Sequence, residues 1–352
     1  LANPFEHRAI TSLHELSTEL TRDLSPWSDR QIANLLISLI TCPWILLAGP
    51  PGVGKSTFVR SMLTRLGHGP GTDRYLELVV RRDWQDDAPL FGYWHPERHH
   101  WEPSSEGFLE QLLRADNDRQ RELGGLFPFV LEEMNLAAPE HYLARPISAL
   151  EDSQPTIRLY GDTQHPANLA RYPANFPVGD NVRLLGTVNL DDTVERLSPR
   201  FLSRAAVIWM SPSLDALMQQ APIITPPEQS VDWRQLRSLS ERPPGELGEL
   251  HRVVRYLHEQ RVPGAPSPRT MRAMERYLAV APDLLTSRVA QDFQVLQRIL
   301  PCVRGVGERY RRIFDDLAAL LRTHQWSMSA ERCEELRARG EELGDYYDFF
   351  HV

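Results

Sequence analysis

Five short apolar runs lie within the first 210 residues, and polar or turn-forming residues bound each of them. Continuous apolar runs of this length are typical of strands that are buried on both faces of a parallel sheet. Between the first two runs, residues 56–66 repeat apolar positions at helical spacing and stop at Gly67. The pattern therefore predicts an α/β fold in which helices connect parallel strands. The five predicted strands occupy residues 43–48, 75–80, 127–131, 182–188 and 205–210.

The pattern changes after residue 232, where apolar positions recur at helical spacing and strand alternation is absent. The proline-rich residues 212–227 between the two regions predict a linker. We therefore expect a helical leader at 1–28, an α/β core at 29–215 and an α-helical domain at 216–352. The helices predicted in the last of these occupy residues 246–260, 268–280, 287–300, 308–322 and 330–343.

A glycine-rich loop of the form G-x-x-x-x-G-K-S joins the first predicted strand to the first predicted helix. Backbone N–H groups in such a loop, together with the positive end of the helix dipole, form a cradle for phosphates. A chance match in a Gly/Pro-rich turn is the alternative, but the strand–loop–helix order favours a phosphate-binding loop. The candidate nucleotide-binding residues are Gly49, Pro50, Pro51, Gly52, Val53, Gly54, Lys55, Ser56 and Thr57.

Lys55 is the only lysine in a chain with 39 lysine and arginine residues, so its place in this loop indicates a chemical role. A compact ammonium on a flexible stem can reach between the terminal phosphates of a nucleotide, which a planar guanidinium does less well. The adjacent Ser56 hydroxyl is a candidate ligand for Mg²⁺. The loop therefore predicts a site for a nucleoside triphosphate with its magnesium ion.

Two glutamates, Glu132 and Glu133, end the third predicted strand. An apolar strand that ends in paired carboxylates suits a hydrolytic site, where the first acid holds the Mg²⁺ shell and the second orients or deprotonates the attacking water. We assign these roles to Glu132 and Glu133 in that order. Aspartate is usual at the first position, so Glu132 is one methylene longer. Two solvated glutamates at a strand end are the alternative, which the upstream loop disfavours.

Further polar side chains accompany the last two predicted strands. Asn189 follows the fourth strand, where its amide could hold the attacking water. Arg200 and Arg204 precede the fifth strand, and a ring-forming hydrolase needs an arginine there that reaches the neighbouring subunit's nucleotide. Ordinary surface charges are the alternative for both arginines.

Composition limits the classes of protein to which the chain can belong. A net charge of −8 argues against a surface that binds nucleic acid all over, although a local arginine-lined pore would not change that sum much. No apolar run approaches the roughly 18 residues that span a bilayer, so no membrane association is expected. Cys42, Cys302 and Cys333 are odd in number and far apart, which favours a reduced, cytoplasmic setting.

A histidine-rich and tryptophan-rich stretch lies between the second and third predicted strands. His95, His99 and His100 suggest a metal site, but no suitably spaced cysteine or carboxylate accompanies them. A surface loop whose tryptophan rings pack on the domain or on a neighbour is the favoured interpretation.

These motifs together resemble the McrB-like branch of the AAA+ ATPases. The resemblance rests on residues 49–56, 132–137, 186–189 and 197–205, with looser support from residues 83–93 and 294–305. It implies a core of five parallel strands in the order 5-1-4-3-2 and a C-terminal α-helical lid. It also implies that a hairpin within residues 156–177 faces the pore of a ring.

The resemblance adds one site residue, Arg269, at the start of a lid helix. It matches the second sensor of the family, an arginine that touches the γ-phosphate from the lid. An arginine beside the positive end of a helix dipole is unfavourable unless an anion lies nearby, which supports this role over an ordinary surface charge.

The activity implied by the resemblance is hydrolysis of ATP, or of GTP, at the subunit interfaces of a homo-oligomeric ring, which we expect to be a hexamer. The expected work is translocation or remodelling of DNA for a restriction or anti-phage complex that includes a McrC-like nuclease subunit. One alternative is a MoxR-like chaperone that remodels a protein client with the same core. Another is a scaffold that binds nucleotide with little turnover, because Glu132 replaces aspartate.

Overall fold

The computed structural model describes residues 7–149, 154–161, 163–164, 166–190, 194–211 and 224–350. A five-stranded parallel sheet lies at its centre, and its order across the sheet is β5-β1-β4-β3-β2. The predicted α/β class and the order 5-1-4-3-2 are therefore confirmed. The strands are β1 (Trp44–Ala48), β2 (Leu76–Val79), β3 (Phe127–Glu132), β4 (Val182–Val188) and β5 (Ala206–Trp209).

The three central strands β1, β4 and β3 are buried along their whole length, as their apolar sequences require. Leu46 of β1 pairs with Gly186 of β4 on one side and with Val207 of β5 on the other. Gly186 is needed in β4 because a Cβ atom there would lie 2.0 Å from the Met134 sulfur. The chain after β3 therefore packs directly on the backbone of β4.

Helices cover both faces of the sheet and begin at residues that suit helix starts. Ser28 and Gln31 form a reciprocal capping box at the start of the second helix, where the Gln31 N–H donates to the Ser28 hydroxyl at 3.3 Å. The helix after the glycine-rich loop ends at Arg65, and Gly67 follows with φ of 79°, which confirms the predicted stop. The helices of this region are Leu13–Asp23, Asp29–Thr41, Lys55–Arg65, Ala88–Phe91, Phe108–Gln120, Pro139–Tyr142, Ala144–Ala149 and Pro199–Leu202, with a 3₁₀ turn at Met134–Leu136.

The C-terminal part is helical, as the pattern predicts, with one correction. The predicted helix at 287–300 divides into an α-helix, a π-helical segment and a 3₁₀ turn, because Pro301 cannot continue the ladder of hydrogen bonds. A short antiparallel pair, Gly305–Val306 with Tyr346–Tyr347, was not predicted. The helical segments are Trp233–Ser238, Leu250–Glu259, Pro268–Val280, Ala281–Asp283, Ser287–Gln294, Val295–Ile299, Leu300–Cys302, Glu308–Thr323 and Ser327–Glu342.

Two small hairpins project from the core. One pairs Tyr93–His95 with His100–Glu102, and the other pairs Thr156–Arg158 with Asn175–Pro177. The second hairpin lies where the sequence predicts one, and its orientation toward a pore stays a prediction. Trp84 and Trp101 are each 2% exposed, so these rings pack into the domain rather than lie on the surface.

Buried polar contacts join the C-terminal helices to the core. The Tyr277 hydroxyl donates to Asn34 Oδ1 at 2.6 Å, and the Gln297 amide donates to the same oxygen at 2.5 Å. The leader joins the core through Trp27, whose ring stacks on Phe58 at 4.7 Å between centroids. The predicted domain boundary at 215/216 and most of the predicted linker at 212–227 lie outside the described residues. Within the described part of the chain, no helix is both long and apolar enough to cross a membrane.

Candidate functional site

The glycine-rich loop lies at the carboxyl edge of the sheet, between the end of β1 and the helix Lys55–Arg65. Gly52 and Gly54 adopt left-handed backbone conformations with φ of 79° and 85°, which other residues rarely adopt. A Cβ at either position would meet nothing within 4 Å, so the loop has an open concave side. Gly54 supplies no side-chain cap, which leaves the first N–H groups of the helix to bind an anion.

Lys55 is held inside this loop. Its side chain is only 6% exposed, and Nζ donates hydrogen bonds to Gly49 O at 2.8 Å and Pro50 O at 2.9 Å. Burial lowers the pKa of the Lys55 ammonium, whereas the charges of Glu132 and Glu133 oppose that change. Within the described residues, the hydrogen bonds of this buried cation go to carbonyls alone, so it is ready to gain from a phosphate nearby.

Glu132 connects the loop helix to the neighbouring strand. Its Oε2 accepts a 2.6 Å hydrogen bond from the Ser56 hydroxyl and a 2.7 Å hydrogen bond from the Thr187 hydroxyl of β4. Its Oε1 is buried and accepts no hydrogen bond within the described residues, although Arg60 Nη2 lies 3.5 Å away. The sequence predicts Ser56 and Glu132 together, whereas it gave no sign of Thr187 or Arg60.

Glu133 follows directly but points elsewhere. Its φ of 52° is left-handed, and its N–H donates to the Thr187 hydroxyl at 2.9 Å. This bend lets Glu132 be buried while Glu133 is exposed. A non-glycine residue in this conformation is strained, and such strain is commonly found at functional sites. The exposed carboxylate is free of the metal-side contacts and can act on a water molecule.

Asn189 is fixed at the same edge by a neighbouring amide. Asn135 donates from Nδ2 to Asn189 O at 2.9 Å, and the Asn189 N–H donates to Asn135 Oδ1 at 3.2 Å. The reciprocal pair holds the backbone after β4 against the turn after β3. The structure thus brings Lys55, Ser56 and both glutamates to the edge where Asn189 lies, as the sequence predicts.

The donor set at this edge fits Mg²⁺. Ser56 and Glu132 offer oxygen atoms in contact with each other, and the buried Oε1 of Glu132 lacks a hydrogen-bond donor among the described residues. Magnesium prefers such oxygen ligands and usually keeps several waters and substrate phosphates in its shell. Despite its extra methylene, Glu132 therefore contacts Ser56, so the two side chains fit the proposed metal site.

Comparison with known proteins agrees with this geometry. Residues 44–205 match the AAA domain (dynein-related subfamily), which includes the loop, both glutamates and the arginines before β5. The chain contains an AAA+ ATPase domain. It is accordingly an enzyme that hydrolyses a nucleoside triphosphate. Residues 227–346 match a domain of unknown function, DUF8727. A comparison with curated proteins finds no match.

The fold of the AAA+ domain and its helical extension is shared with solved structures. One is the crystal structure of a presumed ATPase from Cytophaga hutchinsonii, with a TM-score of 0.56 and 12% identity. The match covers 88% of this chain and 93% of that chain, so it includes the C-terminal helices. At this identity the likeness shows the fold alone.

The predicted arginines of the AAA+ domain lie apart from the loop. Arg200 is exposed on the helix Pro199–Leu202, and Arg204 lies half-buried before β5. Arg269 begins the helix Pro268–Val280, which Ser267 caps through the Thr270 N–H at 3.2 Å. Arg269 and Arg204 line the same cavity, which also borders the residues before β1 rather than the loop after it. The structure therefore groups Arg269 with Arg204 and not with Lys55.

A different cavity, of about 650 Å³, lies beside the end of β5 in the AAA+ domain. Trp209 and Ser211 line it. Met210, which lies between them in the chain, packs closely on Gly49, since a Cβ on Gly49 would lie 2.3 Å from the Met210 backbone oxygen. Its size is that of an ordinary small-ligand site, and apolar, acidic and basic side chains all line it. Sequence reasoning missed this site because its other residues come from distant segments. They are Ser28, Asp29, Arg30, Gln31, Phe293, Leu296, Met328, Glu331, Arg332 and Glu335.

The histidine-rich hairpin offers no comparable site. His100 Nε2 lies 2.7 Å from Glu102 Oε2, and the His95 ring stacks on His100. No group of three or more histidine, cysteine or acidic side chains arranged for a metal ion occurs among the described residues.

Proposed function

We propose that the chain is the ATP-hydrolysing, or GTP-hydrolysing, subunit of a ring in which each subunit completes its neighbour's site. The ring, a hexamer in this proposal, would move or remodel DNA in a McrBC-like restriction or anti-phage complex. The observation that carries the hydrolytic part is the contact of Glu132 with both Ser56 and Thr187 beside the buried Lys55.

The mechanism follows from the residues at the sheet edge. Lys55 and the loop N–H groups neutralise charge on the β- and γ-phosphates as the bond to the leaving group lengthens. Ser56 and Glu132 would hold Mg²⁺, which would supply further positive charge to the phosphate oxygens. Glu133 orients the attacking water and accepts its proton, and Asn189 positions the same water.

Arginines from the adjoining subunit complete the site in this proposal. Arg200 or Arg204 supplies positive charge to the γ-phosphate of the neighbour, as arginine fingers do. Arg269 shares the cavity of Arg204, which supports a role for it toward the neighbour's nucleotide rather than its own. AAA+ proteins typically assemble as rings, and a lone subunit is therefore expected to be nearly inactive.

Support for DNA as the substrate comes from the motif resemblance. The segments at 83–93 and 294–305 resemble the McrB-like branch and motivate both the DNA and the McrC-like nuclease partner. The match to the dynein-related AAA subfamily is equally consistent with a MoxR-like chaperone that acts on a protein client. That chaperone is the second candidate function.

A turnover assay separates these functions. Phosphate release is measured with ATP and with GTP, in the presence and absence of duplex DNA, with Glu133→Gln protein as the blank. Stimulation by DNA supports the motor on DNA. Turnover that ignores duplex and single-stranded DNA supports the protein-client alternative, and no turnover in the assembled protein would refute both.

A further inference from the structure

The cavity that Arg204 and Arg269 share has a volume of about 690 Å³ and an unusual concentration of positive charge. Among the described residues that line it, one acid, Asp180, faces a group of arginines. Asp180 lies 3.5 Å from Arg237 and is largely exposed. The arginines are Arg183, Arg204, Arg237, Arg269, Arg272, Arg276 and Arg298.

Two of these arginines have an evident structural role. Arg183 donates to Ile40 O at 3.1 Å and to Asp180 O at 2.9 Å, and Arg237 donates to Ile40 O at 3.2 Å. They therefore satisfy carbonyls at the end of the helix Asp29–Thr41, where a cation also suits the helix dipole.

Three further arginines form a row on the helix Pro268–Val280. Arg269, Arg272 and Arg276 are spaced by three and four residues, so they share one face over two turns, about 10 Å of helix. Within the described chain, none of the three side chains has a carboxylate partner or a hydrogen bond. Arg272 and Arg276 are exposed. Partial desolvation lowers the pKa of Arg276, Cys42 opposes that change, and the nearby charges of Arg298, Arg237 and Arg272 lower it further. Neighbouring like charges without counterions destabilise each other.

Arg298 forms the buried end of the same cavity. Arg298 is 4% exposed. The one hydrogen bond described for its side chain is donated to Cys42 Sγ at 3.1 Å. Its Nε and Nη1 are buried without a hydrogen-bond partner among the described residues. A buried guanidinium that lacks both an acid and full hydrogen bonding is costly unless a ligand satisfies it.

We propose that this cavity binds a polyphosphate anion at a site separate from the phosphate loop, with Arg269, Arg272 and Arg276 along it and Arg298 at its buried end. Guanidinium groups bind phosphate oxygens through paired N–H donors, and a row over two turns suits several linked phosphates. The volume is that of an ordinary small-ligand site. The backbone of a DNA duplex is too wide to reach Arg298 at the buried end of the cavity, so a duplex is excluded as the ligand. The site does not depend on hydrolysis at the loop.

A nucleotide bound to the neighbouring subunit also carries linked phosphates, so the test excludes nucleotide binding at the loop. Tripolyphosphate is titrated calorimetrically into full-length Lys55→Ala protein, whose loop no longer holds phosphates. We expect one site per chain. Arg276→Gln and Arg298→Gln should each weaken it roughly tenfold or more, the usual effect of losing hydrogen bonds to a charged group. Arg252→Gln is the matched control, because Arg252 is exposed in the same region and pairs with Glu249 at 2.9 Å.

Thermal unfolding separates loss of the site from loss of the fold. Without ligand, Arg276→Gln should melt at an equal or higher temperature, because it removes one of several like charges. Tripolyphosphate should raise the melting temperature of the Lys55→Ala protein but not of the double variant with Arg276→Gln. No binding to Lys55→Ala protein, or unchanged binding by both cavity variants, would overturn the proposal. Tighter binding of single-stranded DNA than of tripolyphosphate through the same arginines would overturn it as well.

Discussion

The Ser56 hydroxyl donates a 2.6 Å hydrogen bond to Glu132 Oε2, which joins the start of the loop helix to the end of β3. These two residues are 76 positions apart in the chain, and both are expected ligands of the same metal ion. The contact shows that a glutamate at this position reaches the serine directly. The longer side chain is thus compatible with contact between the two proposed metal ligands of the AAA+ domain.

Lys55→Ala should abolish nucleotide binding. The variant removes a buried ammonium that loop carbonyls hold beside the phosphate cradle, so the affinity for ATP should fall about 100-fold or more. Titration with a fluorescent nucleotide measures the change. Arg65→Gln at the other end of the same helix serves as the control. Retained affinity in Lys55→Ala would contradict the assignment of the loop.

Glu133→Gln should keep nucleotide affinity and reduce kcat by about 10²- to 10⁴-fold, the usual contribution of a general base. Glu133 is exposed, and the Ser56 hydroxyl donates to Glu132 instead, so the metal side of the site should be unaffected. Single-turnover measurements would show trapped triphosphate, which should also stabilise the ring. If turnover continues at the normal rate, another residue orients the water.

Thr187→Val tests the hydroxyl that links the two glutamates. This hydroxyl donates to Glu132 and accepts the N–H of Glu133, so its loss frees both residues. We expect kcat to fall roughly tenfold, as for the loss of a hydrogen bond to a charged group, with little change in nucleotide affinity. Thr187→Ser should restore the rate. An equal loss in both variants would indicate a packing effect instead.

The pH dependence of folding should depend on His68. Burial lowers its pKa from 6.5 to about 3, and its Nε2 lies 2.9 Å from Val231 O. Because the unfolded chain binds the proton more readily, stability is full above pH 6.5 and falls as the pH drops toward 3. The slope approaches about 1.4 kcal/mol per pH unit.

The matched variant for this test is His68→Gln, which keeps an N–H donor for Val231 but does not titrate. Denaturant unfolding of both proteins between pH 7 and 4 gives the difference in unfolding free energy. The wild type should lose stability relative to the variant as the pH falls. Parallel curves would show that His68 is not the titrating group.

Sequence could predict the features of the site that lie within continuous segments. The phosphate loop and the paired glutamates depend on motifs whose residues adjoin, and the strand order follows from the family resemblance that these motifs carry. Thr187 could not be found in this way. Leu131 pairs with Gly186 in the sheet, and this register alone brings the following residues, Glu132 and Thr187, together. Register between distant strands is a property of the packed sheet.

The position of Arg269 likewise depends on how the C-terminal helices pack on the core. Contacts of Tyr277 and Gln297 with Asn34 anchor these helices against the helix Asp29–Thr41. That packing places Arg269 in the cavity of Arg204. Helical periodicity alone contains no information on how the helices pack. The division into core and lid stays a prediction, since its proposed boundary lies outside the described residues.

Mixing experiments test whether active sites are shared between subunits. Arg200 and Arg204 precede β5, and the cavity of Arg204 borders the start of β1, whereas the phosphate loop follows the end of that strand. A double variant, Arg200→Ala with Arg204→Ala, should therefore bind nucleotide normally but hydrolyse it slowly, whereas a ring made of Lys55→Ala subunits should neither bind nor hydrolyse it. In mixed rings, some interfaces combine an intact loop with intact arginines, and turnover should recover in part. The recovery should peak at an intermediate ratio, because such interfaces are most frequent there. As the control, each ring is chemically crosslinked before the two variants are mixed, so that subunits cannot exchange. If activity in the exchangeable mixture stays at the level of the separate variants at every ratio, sites shared between neighbours are refuted.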